Sequence, residues 1–120
     1  MTTFIIISEP YDIPGFTNGA PAASEVLVRF VAVRALTVPT NCAGSLAKAG
    51  VAATASTVFT IAQNGSSVAT VTFAIAGTTG TFSNQAAIAI ATGDVMTITA
   101  PGSADATLAN VAITILATVT

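Results

Sequence analysis

Histidine and tryptophan are absent from this sequence, and cysteine occurs once, at Cys42. Without histidine there is no imidazole general base, no His-based catalytic triad and no His metal ligand. A lone cysteine forms no intramolecular disulfide, and a metal cluster built on it lacks partners. No basic residue sits beside Cys42 in the sequence to activate its thiol, so it is expected to be a small buried apolar side chain, with an intersubunit disulfide as the alternative. Charge is equally scarce. Charged residues make up 7% of the chain, against about 25% in ordinary soluble domains. The three basic residues, Arg29, Arg34 and Lys48, leave a net charge of −2 and no basic cluster. Nucleic acid and anionic membranes are therefore not expected partners, since both need a Lys/Arg footprint. Long hydrophobic runs are missing too. The most apolar stretch, VLVRFVAVRALTV, is broken by Arg29 and Arg34, well short of the ~20 residues of a membrane span. The opening MTTFIIISEP has no positive n-region and its apolar run ends at Ile7, so no signal peptide is expected, nor export by a secretory route.

What is present is small and aliphatic. Of the 120 residues 52% are hydrophobic, mostly Ala, Val and Ile, and threonine is abundant beside them. One domain with a modest core fits that length. So few charges give little repulsion between copies, so much of the surface is expected to be covered in use.

Punctuation by Gly and Pro divides the chain. Residues 1–25 are expected to form an extended N-terminal arm: Phe4, Ile5, Ile6 and Ile7 as a short strand, then the Pro/Gly-dense EPYDIPGFTNGAPAAS as irregular chain with Tyr11, Ile13 and Phe16 as apolar anchors. Residues 26–120 are expected to be the folded domain. Val26–Val38 is its longest strand candidate, and one arginine on each parity predicts a bulge or bend near Ala32. Residues 39–56 read as a long connection, with at most one helical turn at Leu46–Lys48. TVFTIAQNGSSVATVTFAI is a hairpin. A two-residue Asn64-Gly65 turn continued in even register would put Phe59 and Ile61 on the face opposite Val71, Phe73 and Ile75. A three-residue loop, Gln63-Asn64-Gly65 with a bulge at Gly65, pairs Phe59 with Ala69 and gathers the large apolar side chains on one face. Burial should select it, since a one-residue slip inverts a strand's faces. Strands at 80–84, 87–91, 94–100 and 108–119 complete the pattern, separated by the turn compositions TGD and PGSAD. Seven or eight short strands without a helical period predict an all-β fold: a single antiparallel β-sandwich of jelly-roll type carrying the arm. The Thr-x-Thr pairs at 70/72 and 97/99 do not point to an ice-binding solenoid, which needs a fixed repeat that this chain lacks.

Candidate chemistry is thin. Glu9 and Asp12 are close in sequence but fall in the arm; Asp94 and Asp105 are expected to cap turns, with a calcium site as the alternative. There is no phosphate-cradling glycine motif. With no Trp and one Tyr, a glycan platform within one subunit is not expected, though one between subunits stays open. Neither a catalytic residue nor a bound metal or cofactor is expected. What remains is surface. Phe4–Ile7 could add to a neighbour's sheet edge through main-chain hydrogen bonds, or pair within its own domain.

The segments YDIPGF (11–16), VRFVAVRALTVPTNCAGSLAKAGVAATASTVFTIAQNGSSVATVTFA (28–74) and GDVMTITAPGSADATLANVAITI (93–115) resemble a small domain found in tailed bacteriophages, either free-standing or appended to tail-fibre-like proteins. That resemblance implies a virion structural protein without catalytic residues, made in the host bacterial cytoplasm and used on the capsid or tail surface. The leading expectation is a capsid decoration (cement) protein; the alternative is a tail-fibre or baseplate module for host attachment. Its expected partners are copies of itself, a trimer by analogy with decoration proteins generally, and the major capsid protein or other virion proteins. The partner-docking arm residues are Phe4, Ile5, Ile6, Ile7, Tyr11 and Phe16.

Overall fold

Alternation of buried and exposed residues runs cleanly through the C-terminal stretch, where Val111, Ile113, Ile115 and Ala117 point inward from one strand. A computed structural model describes residues 9–120 and shows what that strand organises. Ten strands make two antiparallel sheets packed face to face, a β-sandwich. In chain order they are β1 (Pro10–Thr17), β2 (Val26–Val31), β3 (Leu36–Val38), β4 (Leu46–Val51), β5 (Thr57–Gln63), β6 (Ser66–Phe73), β7 (Gly80–Ser83), β8 (Ile88–Ile90), β9 (Val95–Thr99) and β10 (Ala109–Val119). One sheet has the order β1-β10-β3-β8, with β4 on the same side of β10 as β3; the other runs β2-β9-β5-β6-β7. The eleven-residue β10 is the spine of the first sheet: β1 lies along one side, and β4 and then β3 share the other. The Ser45 hydroxyl bridges the gap between those two, accepting the Leu116 N–H at 2.8 Å.

Between the sheets sit Phe59, Phe73, Ile13, Leu36, Ile61, Ile90, Ile98 and Leu108, all essentially without solvent exposure. Phe59 and Phe73 meet edge to face with ring centres 5.8 Å apart, a geometry that adds about 0.5–1.5 kcal/mol beyond burial.

Four expectations are corrected. First, Pro10–Thr17 is not irregular; it pairs with β10 along its whole length. Two prolines fit a strand here because β1 is an edge. Glu9 O accepts the Val119 N–H at 2.8 Å, so odd positions face β10, and Pro10 and Pro14 fall on the outward parity where no ladder bond is lost. The domain therefore begins by Pro10, not at residue 26. Gly15 fits the same logic: a Cβ there would overlap Val28 Cγ2, so glycine lets β1 approach β2. Second, the bend expected near Ala32 exists but goes further, because the chain changes sheets there. β2 belongs to one sheet and β3 to the other, with Ala32 buried and clasped by Asp94 O (2.9 Å) and the Gly93 N–H (2.7 Å). Arg29 is on the outer face of β2 and Arg34 on the exposed crossing, which resolves their opposite parities. Third, Leu46–Lys48 is no helical turn but the start of β4; the one helical turn in this stretch is a 3-10 turn at Thr40–Cys42.

Fourth, the hairpin reaches the expected faces by another route. Gln63 pairs with Ser66, so Asn64 and Gly65 form a two-residue turn, with φ of 50° and 86° as a type I′ turn requires. The register then shifts: Ala62 pairs with Ser67 but Ile61 with Ala69, leaving Val68 as the extra residue. Beyond it Phe59 pairs with Val71 and Thr57 with Phe73, and the whole row is buried. Burial did demand a one-residue correction. The chain makes it in β6 rather than in the turn.

Candidate docking surface

Titratable groups are spent on structure. Asp105 accepts four backbone N–H groups, from Thr54 (3.1 Å), Ala55 (3.0 Å), Thr107 (3.0 Å) and Leu108 (2.9 Å), and the Thr54 hydroxyl at 2.9 Å. These donors, the Leu108 and Thr107 amides first, hold its carboxyl far below the usual range. Asp94 accepts the Asn64 amide (3.0 Å), the Ala91 N–H (2.9 Å) and the Gln63 amide (2.8 Å), and its carboxyl is lowered for those reasons in that order. It pins the β5–β6 hairpin tip to the turn between β8 and β9. Both residues cap turns, as their composition suggested. Glu25 is lowered by the Thr17 hydroxyl at 2.6 Å and then by the Ala22 N–H. Cys42 is buried, its thiol donating to Asn84 Oδ1 at 3.2 Å, and burial pushes its pKa up. Asn84 in turn donates to Pro39 O and Ala86 O. Among the described residues, no three of His, Cys, Asp and Glu gather as metal ligands.

Hollows on the surface offer little. A depression of ≈ 440 Å³ beside Asp105 is lined by small Ala, Ser and Thr side chains, and the carboxylate within it is already saturated. Another, of ≈ 480 Å³, runs over Arg29, Thr97 and Thr99 on the outer face of the second sheet. That face is a hydroxyl lattice. Thr99, Thr60, Thr70 and Ser83 stand in one row across β9, β5, β6 and β7.

The outer face of the first sheet is different. On it β1 presents Asp12, Pro14 and Phe16; β10 presents Ala112, Thr114 and Leu116; and β4 presents Leu46 and Lys48. Register arranges them in rows: Asp12 beside Leu116; Pro14 beside Thr114 and then Leu46; Phe16 beside Ala112 and then Lys48. Phe16 is 58% exposed and Leu46 67%. Elsewhere Val33 and Ile75 are exposed in loops, and Val26, Val31, Val51 and Val58 on strands, as surface apolar residues commonly are. Here the apolar groups adjoin, across three strands.

The edges differ. On the free side of β1 the prolines remove two of four donors. β4 and the start of β7 join through Ala49 N–H to Thr78 O (2.8 Å) and the Lys48–Thr79 bridge. At β8, three residues long, the Ala89 carbonyl is taken by the Gln63 amide at 2.9 Å. β2 ends the second sheet with no described strand on its far side. Strand addition is thus hindered at β1, β4 and β8, and the outer face of the first sheet is open to contact.

Of the six expected docking residues, Phe4, Ile5, Ile6 and Ile7 lie outside the described residues. Tyr11 turns inward, its ring 5.8 Å from that of Phe30. Phe16 alone is displayed, and on a sheet rather than an arm. Glu9 and Asp12 form no pair: Asp12 is exposed on the face, while Glu9 sits at the strand's start. The partners of Phe16 were missed because LAKAGV, which follows Gly44 and contains Gly50, reads as loop; read as a strand, its parity puts Leu46 and Lys48 together.

Comparison with protein-family models, with curated proteins and with solved structures finds no match.

Proposed function

We propose that this chain is a structural subunit of a bacteriophage virion, a capsid decoration protein that stabilises the head surface by covering it. The observation that carries this reading is the set of adjoining exposed apolar groups on the first sheet of a domain in which Glu25, Asp94 and Asp105 are committed to its own loops and turns. A surface of that kind contributes by being buried, since apolar area removed from water returns about 25 cal/mol per Å². Strand order supports the finer fold assignment. β1-β10-β3-β8 facing β2-β9-β5-β6 is the order of two interleaved Greek keys, the jelly roll common in capsid proteins. The resemblance of the sequence to small phage domains adds weight independently. The protein's partners are further copies of itself and the major capsid protein.

Phe4–Ile7 is the second contact. This segment is proposed to reach another virion subunit. Deleting residues 1–8 should weaken particle binding and leave the melting temperature of the domain unchanged; equal loss of both would contradict a docking role.

Quantitative densitometry of purified virions tests the assignment. A decoration protein appears at hundreds of copies per particle, and particles lacking it break on mild heating. A count of a few dozen, with stable heads and lost adsorption, would make it a tail-fibre module instead.

A further inference from the structure

We infer that the outer face of the first sheet is self-complementary and that its occupant is the same face of a second copy, related by a two-fold axis. This rests on the structural reading above and says which surface that reading uses. The argument is one of charge placement. Among the residues that β1, β10, β3, β4 and β8 turn outward, two are charged, Asp12 and Lys48, of opposite sign. Register sets them at opposite corners: Asp12 is beside Leu116 on one flank, Lys48 beside Ala112 on the other. Thr114, paired with both Pro14 and Leu46, lies midway, one strand and two residues from each.

An axis in the contact plane, through Thr114 and perpendicular to the Asp12–Lys48 line, exchanges the two corners. Each Asp12 then meets the partner's Lys48, so both ion pairs form at once, and the closed two-fold uses one patch twice. Phe16, Pro14 and Leu46 lie closer to that axis and pack against their counterparts. An axis along the Asp12–Lys48 line would instead set like charges against each other. Lys48 keeps donors free for this pairing, since it gives one bond, to Thr79 Oγ1 at 2.9 Å. The patch is three strands wide, about 15 Å at the usual spacing, and smaller than the ~800 Å² per partner of a standard interface. The pair is accordingly weak in free solution, with a Kd in the upper micromolar range, and strengthens when copies are held side by side on a particle.

Sedimentation equilibrium of the full chain up to millimolar concentration tests this. A dimer is expected. Asp12→Lys and Lys48→Asp should each weaken it about tenfold or more, since each reversal sets like charges together at two symmetric contacts. The double reversal D12K/K48D should restore it. Phe16→Ser with Leu46→Ser should abolish it while the dilute chain still melts cooperatively by circular dichroism. A chain that remains monomeric, forms trimers, or dimerises regardless of these changes overturns the pairing. So does a double reversal that fails to rescue. If such a chain is nonetheless abundant on purified particles, the pairing alone has failed; if the pairing holds but particles lack the chain, the virion assignment has failed.

Discussion

Asp105 shows how a single side chain is used in a protein with so few charges. It is open to solvent, yet its two oxygens accept amides from both sides of a seam, Thr54 and Ala55 on one loop and Thr107 and Leu108 on the other. Asp105→Asn replaces an acceptor oxygen with a donor facing those amides, and a lower melting temperature is expected in thermal denaturation at neutral pH. The pH dependence has a definite sign. Asp105, Asp94 and Glu25 are all depressed in the folded state from ordinary values of 3.8, 3.8 and 4.5. Their stabilisation is therefore complete above those values and lost progressively as pH falls below them. Melting temperature should be flat from neutral pH to about 5 and decline below it; the Asp105→Asn variant should decline less. A melting temperature that rises on acidification would contradict this. The turn-capping role of both aspartates was legible in the sequence, because Asp in PGSAD and TGD has local amides in reach. The long-range half, Asp105 to Thr54, was not, because nothing in the sequence links residues separated by 51 in number.

At the scale of elements, the β5–β6 hairpin shows two local rules in conflict and how the chain satisfies both. Asn64-Gly65 favours the tight turn and burial favours the opposite parity; Val68 absorbs the difference as an unpaired residue. Deleting Val68 closes the bulge and keeps Ile61 opposite Ala69, Phe59 opposite Val71 and Thr57 opposite Phe73, so this variant should keep a cooperative melting transition by circular dichroism. Inserting one alanine between Thr70 and Val71 instead turns Val71 and Phe73 to the face opposite Phe59 and Ile61. Losing one buried Phe costs about 3–5 kcal/mol, comparable to the whole stability of many small domains, so the insertion variant should show no cooperative transition. An insertion variant that melts like the parent would show that the register is not set by burial. The sequence revealed the facial outcome but not the bulge, since periodicity reports parity and not where a parity change is made. The same limit explains β1 and β4. Prolines and glycines mark a broken ladder, but an edge strand loses nothing from a proline on its outer side. Which strands are edges is settled by topology.

For the molecule as a whole, the described strands hinder pairing at the β1, β4 and β8 edges and leave adjoining apolar groups open on the outer face of the first sheet. Pro10 and Pro14 keep β1 from templating another chain's strand, while Phe16, Leu46 and Leu116 beside them remain available to a surface. Low charge and high aliphatic content point to association; the surface proposed for it could be found only once β4 was known to be a strand. The measurement that meets this claim most directly is hydroxyl-radical footprinting of the chain free in dilute solution and in purified phage particles. The account predicts that Phe16, Leu46 and Leu116 are protected in the particle while Val33 and Ile75 are labelled equally in both states. Equal labelling of Phe16 and Leu46 in the two states would contradict it.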